Sequence, residues 1–267
     1  MTSTRVTSVG ATSPAAPTTP ALPGVRLILD DATIGRSGRP VLAGLGLDVA
    51  PGELLTVVGP SGCGKSTLLR TFAGLLPALD GQVKQDGVPI VRPGADRALV
   101  FQEDGLLPWR TVRRNVELPL AIRRVGRAER RTRAADWLER VGLTGREQEL
   151  PHRLSGGQRQ RVQLARALAG EPRALLMDEP FGALDAQTRA GMQQLLVEVL
   201  RSSRATVVFV THDVDEAVFL GDRIALLGTD AERPVRLLDV PHPRERAAHG
   251  EPGTVALRRE VLQSLGS

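Results

Sequence analysis

The chain has 267 residues, 41% hydrophobic and 24% charged, with a net charge of +5; that suits one large α/β domain, or a core plus a subdomain, with a sizeable buried core. Five Phe, two Trp and no Tyr argue against a single-strand nucleic-acid platform, which needs several stacking rings. The one cysteine, Cys63, rules out an internal disulfide framework and a Cys-based zinc site, and no run of about 18 apolar residues is present to span a membrane.

The N-terminus lacks the apolar stretch of a secretory signal, so a reducing cytoplasm is expected. Only Lys65 and Lys84 are lysines among 35 basic residues. Residues 106–166 hold 15 Arg against 6 acids. That excess suits a membrane surface or a phosphate-bearing partner, or simply a solvated helix face.

Residues 1–24 are Thr, Ser, Ala and Pro with almost no charge and read as a disordered tail. Alternation then predicts strands over 25–29 and 45–49. The apolar run Leu54–Val58, ended by Gly59-Pro60, predicts a strand buried on both faces. A helix is expected from Ser66 to Leu76, closed by Pro77, with strands near Val83 and over Ala98–Phe101. Residues 112–145 are helical in pattern, and another helix runs through Gly157–Ala169. Ala174–Met177, Thr206–Val210 and Ile224–Leu227 continue the strands. Strand–helix alternation implies an α/β core with a mostly parallel sheet.

Gly59-Pro60-Ser61-Gly62-Cys63-Gly64-Lys65-Ser66-Thr67 matches G-x-x-x-x-G-K-[ST]. Its glycines let backbone N–H groups curl around phosphate oxygens, and the helix that follows aims its N-terminus at the anion. Lys65 is suited to bridging the β- and γ-phosphates and the Ser66 hydroxyl to ligating Mg²⁺. Cys63 reads as a small spacer in preference to a redox switch.

The apolar strand Ala174–Met177 ends in Asp178-Glu179. Asp178 at the carboxyl end of a parallel strand points into the ligand crevice, suited to holding Mg²⁺ through water. Glu179 is suited to polarising an attacking water. His212 ends the strand Thr206–Val210 in the same way; it is either structural or a contact to the γ-phosphate and the water. Ser155-Gly156-Gly157-Gln158 ahead of a helix forms a second phosphate-binding element. One nucleotide does not need two, so a head-to-tail pair of chains is implied, each covering the other's ATP.

These motifs stand in an order that resembles the ABC transporter ATPase family over nearly all of residues 25–230: the phosphate loop at 59–67, Gln102 after Val100-Phe101, Leu154-Ser155-Gly156-Gly157-Gln158, the acidic strand end at 175–180, Ala183-Leu184-Asp185 and His212. The resemblance implies an α/β fold with a P-loop NTPase core. That core is a mostly parallel sheet flanked by helices, with an antiparallel β portion at its N-terminal side and an inserted α-helical subdomain. It places the ATPase domain over 25–228, the core at about 25–101 and 167–228, and the helical subdomain at about 102–166. A C-terminal extension over 229–267, with a helix-like stretch at 255–265, has no functional account. The resemblance further implies that Ser155, Gly156, Gly157 and Gln158 of one chain contact the γ-phosphate held by the other. Gln102 is implied to sense Mg²⁺ and water, and Asp185 to couple the two sites.

Pro93–Arg97, Gly105–Arg110 and Phe181–Asp185 resemble the nitrate/sulfonate/taurine importer group, and look most like its taurine branch. That implies a permease and a solute-binding protein as partners, no nucleic acid, and a peripheral place on the cytoplasmic face of the membrane. Nitrate or another small organic solute is the alternative cargo, and a soluble non-transport ATPase or a nucleotide-binding module the alternative class. Leu106, Leu107, Pro108 and Trp109 form an apolar patch beside Gln102, suited to seating a partner helix; the other reading packs Trp109 in the helical core. Relatives place an aromatic ring under the adenine, a few residues before a Gly-rich turn. Here that position is read as Ile34, which predicts weak base discrimination.

Overall fold

The computed structural model describes residues 23–103, 105–228 and 234–266. All of the expected N-terminal tail except Pro23 and Gly24 therefore lies outside the described residues.

Ten strands and seven helices are described. The chain opens with a long hairpin, β1 (Leu27–Arg36) and β2 (Arg39–Val49). Ser37 and Gly38, both at positive φ, turn it, the backbone that a tight hairpin requires. Next come β3 (Leu54–Val58), α1 (Lys65–Phe72), β4 (Asp80–Gln85), β5 (Val88–Pro89) and β6 (Arg97–Val100). Three helices follow: α2 (Val112–Ile122), α3 (Arg127–Arg140) and α4 (Gly156–Ala169). Then β7 (Ala174–Asp178), α5 (Ala186–Ser203), β8 (Thr206–Val210), α6 (Val214–Leu220) and β9 (Arg223–Leu227) alternate. The chain closes on β10 (Val235–Asp239) and α7 (Pro252–Leu265).

Two sheets result. One is antiparallel in the order β2-β1-β4-β5; the other runs β10-β9-β3-β8-β7-β6. The second sheet is parallel from β9 to β6, with β10 added antiparallel at its edge. β3 and β8 are buried at all five positions, which is why their sequences are continuous apolar runs. Successive side chains face opposite ways. Leu55, Val57, Leu176 and Val208 pack with Leu68, Leu69 and Phe72 of α1 and with Leu27 and Leu45 of the hairpin. Leu175, Met177, Val207 and Phe209 face the other way, into one core with Val116, Leu138, Leu168 and Leu196. α1 is thus held between the two sheets, while α2 to α5 cover the far face.

Some elements differ from expectation. The helix expected to reach Leu76 stops at Phe72 because Gly74, at φ 76°, turns the chain against the Arg92 carbonyl. The helical pattern over 112–145 is broken after Ile122, where Arg124 takes a left-handed φ of 59° and Gly126 caps α3. α5 is not anticipated at all, although Met192, Leu195, Leu196 and Val199, all buried, follow the helical period. The final segment is integrated. Val240, Leu257 and Val261 share a core with Val58, Val214, Ala217, Val218, Ile224 and Leu226.

Candidate nucleotide-binding site

The first part of the site is the turn between β3 and α1. Gly62 and Gly64 take φ of 82° and 108°, open to glycine and costly for other residues. Gly59 is required for a different reason: a Cβ there would lie 2.4 Å from the Leu227 carbonyl oxygen. Gly64 caps α1 without any side-chain acceptor, so the first-turn N–H groups of Lys65, Ser66 and Thr67 face the loop Gly59–Gly64. Lys65 is buried, and its ammonium donates to the carbonyls of Gly59 (2.7 Å) and Pro60 (2.9 Å). Pro60 and Ser61 are exposed at the loop tip. Cys63 packs against Gly59 and Gly228, and burial raises its thiol pKa. A thiol held in its neutral form is a poor nucleophile, in keeping with a spacer.

The second part stands at the carboxyl ends of β7 and β8. The Ser66 hydroxyl donates to Asp178 Oδ1 at 3.0 Å. Burial pushes the Asp178 carboxyl upward, with the Ser66 hydrogen bond opposing it. A hydroxyl and a half-buried carboxylate are hard oxygen donors, and a cation between them would offset that desolvation. They fit Mg²⁺ as a partly hydrated ion completed by phosphate oxygens. No cluster of three or more His, Cys, Asp or Glu suited to a metal occurs among the described residues, so an all-protein cage is not built. Glu179 sits at φ 44°, strain of about 1 kcal/mol for a non-glycine residue. Its backbone N–H donates to the Val210 carbonyl, and its Oε2 is hydrogen-bonded to His212 Nδ1 at 2.9 Å. Glu179 is largely covered while His212 is mostly exposed.

The other expected residues lie elsewhere. Ser155 caps α4 in a reciprocal box: the Gln158 N–H donates to Ser155 Oγ, and the Ser155 N–H donates to Gln158 Oε1. Gly157 must be glycine because a Cβ would lie 2.7 Å from the Thr188 methyl. Thr188 in turn donates its N–H to Asp185, the cap of α5, and that bond lowers the Asp185 pKa. Among the described residues, no hydrogen bond joins Ser155–Gln158 to Gly59–Thr67, or Gln102 to Ser66, Asp178 or Glu179.

Two buried amides anchor the Gln102–Arg110 loop, and sequence reasoning missed both. Gln163 of α4 donates through Nε2 to the carbonyls of Phe101 (2.9 Å) and Glu103 (3.1 Å), on either side of Gln102. Asn115 of α2 accepts from the Leu107 N–H and donates to the carbonyls of Leu107, Arg110 and Thr111. Both side chains are essentially inaccessible. A polar residue at an apolar-face position of each helix is the signal that would have found them.

Two expectations are corrected. Ile34 has no exposed surface and packs in the core below the hairpin with Leu27 and Leu45, so it presents no face to a base. The exposed apolar group beside the phosphate loop is Val41 of β2, which with Leu42 touches Gly64. Leu106 is also core, buried with Val112 and Val116. The exposed patch is therefore smaller, with Trp109 at 73% exposure its main element. Packing of Trp109 into the helical core is excluded. The Pro93–Arg97 segment has a structural task, since Asp96 and Arg97 both hydrogen-bond to Gln85 of β4.

A family profile described as ABC transporter matches residues 42–182. The chain is 48% identical over 234 residues to the taurine import ATP-binding protein TauB of Chromobacterium violaceum, covering 85% of this chain and 90% of that one. It is 46% identical to the protein of the same name from Pseudomonas savastanoi pv. phaseolicola, covering 86% and 91%. Among solved structures it resembles the ATP-binding cassette MJ0796, as a dimer in a post-hydrolysis state with ADP and Pi (TM-score 0.70, 34% identity, 81% of this chain and 99% of that one). It also resembles cbiO1 of Clostridium perfringens, part of an ABC transporter complex (TM-score 0.73, 27% identity, 90% and 95%). The chain belongs to the ABC transporter family and is one of its ATP-binding cassettes.

Proposed function

We propose that this chain is the ATP-hydrolysing subunit of an importer for taurine or a related sulfonate, working as a head-to-tail pair at the cytoplasmic face of the membrane. The observation that carries the hydrolytic reading is the pairing of Glu179 with His212 beside the Ser66–Asp178 pair. The cargo reading is supported by the names of the relatives. No helix among the described residues is long and apolar enough to cross a membrane; the import names of the relatives support a permease as the partner that provides the path.

In this mechanism the loop Gly59–Thr67 grips the phosphates of ATP through backbone N–H groups and Lys65. Ser66 and Asp178, with Gln102 closing on them, would hold Mg²⁺, which when bound would supply positive charge against the phosphates. Glu179 draws a proton from the attacking water, and His212 keeps that carboxylate oriented. Ser155–Gln158 of one copy faces the γ-phosphate bound by the other, with their side chains pre-ordered by the capping box. Asp185, at the turn touching Gly157, links the two sites. The base rests on the hairpin face that carries Val41. The helices α2 to α4 move as a subdomain on closure, and Trp109, with Leu107 and Pro108, transmits that motion to the permease.

The test is Glu179→Gln, assayed for hydrolysis and for nucleotide-dependent dimerisation. Binding retained with hydrolysis nearly lost, and a trapped dimer with Mg-ATP, is the expected result. Turnover like the parent's would overturn the assignment of Glu179. Labelled-taurine uptake in vesicles reconstituted with the permease and binding protein tests the cargo.

A further inference from the structure

Three arginines of the segment 234–266, Arg244, Arg246 and Arg258, converge on the helix that follows His212. α6 starts at Val214, immediately after His212 and Asp213. Arg258 of α7 pairs with Asp215 in its first turn through both Nε and Nη2. Arg244 holds its last turn: its backbone N–H donates to the Phe219 carbonyl, and Nη1 donates to the Leu220 carbonyl at 3.0 Å. Both ends of α6 are therefore clamped by this segment.

Arg246 reaches further. Its guanidinium lies 4.2 Å from the Phe219 ring centroid, and Nη2 donates to Gln193 Oε1 of α5 at 3.0 Å. Gln193 Nε2 donates to Glu216 Oε1 at 3.1 Å. Glu216 Oε2 accepts from Thr211 Oγ1 at 2.5 Å, and Thr211 Oγ1 accepts from the Asp213 N–H at 3.0 Å. The Asp213 carboxylate caps α6 and pairs with Arg189. Both neighbours of His212 are thus tied into one relay. An arginine only donates and a carboxylate only accepts, so the Gln193 amide between them has a single orientation. Gln193 and Glu216 are buried, so a broken link is not readily replaced by water.

We propose that the C-terminal segment is a positioning element for hydrolysis, in which Arg246, through Gln193, Glu216 and Thr211, sets where His212 stands against Glu179. This rests on the reading of Glu179 and His212 as the hydrolytic pair. Arg246 touches no substrate and acts only through others. The phosphate loop and the Ser66–Asp178 pair lie outside the relay, so disturbing it affects turnover and spares nucleotide binding.

The experiment is steady-state Mg-ATP hydrolysis by the full-length chain and its variants. Arg246→Ala lowers kcat by about tenfold, the effect of a coupling of ordinary size, while KM and nucleotide affinity stay within about twofold. Arg246→Lys, which keeps a donor, recovers most of the loss, and Gln193→Leu reproduces it. In a His212→Ala background, Arg246→Ala does not lower the residual rate further. The His212 ring-proton resonance, assigned by its loss in His212→Ala, shifts in Arg246→Ala. Parent-like kcat in Arg246→Ala overturns the proposal. So does an equal loss with and without His212, or a joint fall of kcat, affinity and melting temperature, which marks a mere brace. Parent-like turnover of His212→Ala itself would overturn the hydrolytic role of His212 and the relay with it. An impaired His212→Ala beside an unimpaired Arg246→Ala overturns the relay alone.

Discussion

The phosphate loop and the Gln102–Arg110 loop are both short irregular connections leaving parallel strands, and they are held in place by opposite means. Gly59–Thr67 is ordered by its own backbone: two glycines at positive φ, a helix N-terminus and a lysine bonded to the loop's own carbonyls. Among the described residues of the Gln102–Arg110 loop, one turn bond (Arg110 N–H to the Leu107 carbonyl) and Gly105 at φ 50° are the internal order, and most of the anchoring comes from outside. Gln163, Arg166 and Asn115, from two other helices, hold its carbonyls. A site that grips a fixed ligand benefits from local rigidity. A loop tied to helices from outside moves with them, and α4, which begins at the Ser155 turn, is one of those helices; under the proposed function this lets the loop report on nucleotide to a partner.

The largest expected effect lies in the chemistry that both loops serve: Glu179→Gln lowers hydrolysis by about 10²-fold or more, measured by phosphate release, with nucleotide affinity unchanged. Next is Trp109→Ala. The ring is exposed, so folding is unaffected, but permease binding weakens by about thirtyfold if it is a central anchor of ~2 kcal/mol, as read by pull-down titration. Asn115→Leu removes the donor that holds three carbonyls and costs about 2 kcal/mol, lowering the melting temperature by about 4–8 °C. That fall separates it from Trp109→Ala. Gln163→Ala frees the backbone around Gln102 and lowers kcat by about three- to tenfold through misplacement, with phosphate-loop affinity intact. The smallest effect concerns the base: ATP and GTP affinities differ by less than about tenfold, or ~1.4 kcal/mol, because Val41 offers only an aliphatic face. A larger ratio in a competition assay would show that the hairpin reads the base.

The same contrast explains what was legible in advance. The phosphate loop, Asp178, Glu179 and His212 lie where backbone direction changes at strand ends, and such positions carry short-range signals. The parallel strands were legible because burial on both faces leaves an uninterrupted apolar run. Ile34 faces inward, which sequence does not reveal because a hairpin's inward and outward faces differ by one residue, and only pairing register selects between them. Leu106 turns inward, and four consecutive apolar residues in a loop do not reveal which of them does so. Asn115 and Gln163 look like ordinary polar residues on solvated helices until the carbonyls they satisfy, up to 62 residues away in the chain, are brought beside them.

Length, composition and charge excluded a disulfide scaffold, a ring-lined nucleic-acid platform and a long apolar span, and local motifs set the phosphate chemistry. Those properties depend on residue type and short-range backbone conformation, so sequence by itself determined them. Tertiary structure decided which apolar side chain is exposed beside the phosphate loop, how the Gln102–Arg110 loop is anchored and where the C-terminal segment sits. Each of these is a contact between distant parts of the chain, chosen by packing and by the requirement that buried polar groups find partners. The absence of tyrosine therefore bears on Val41, since folding places Ile34 in the core.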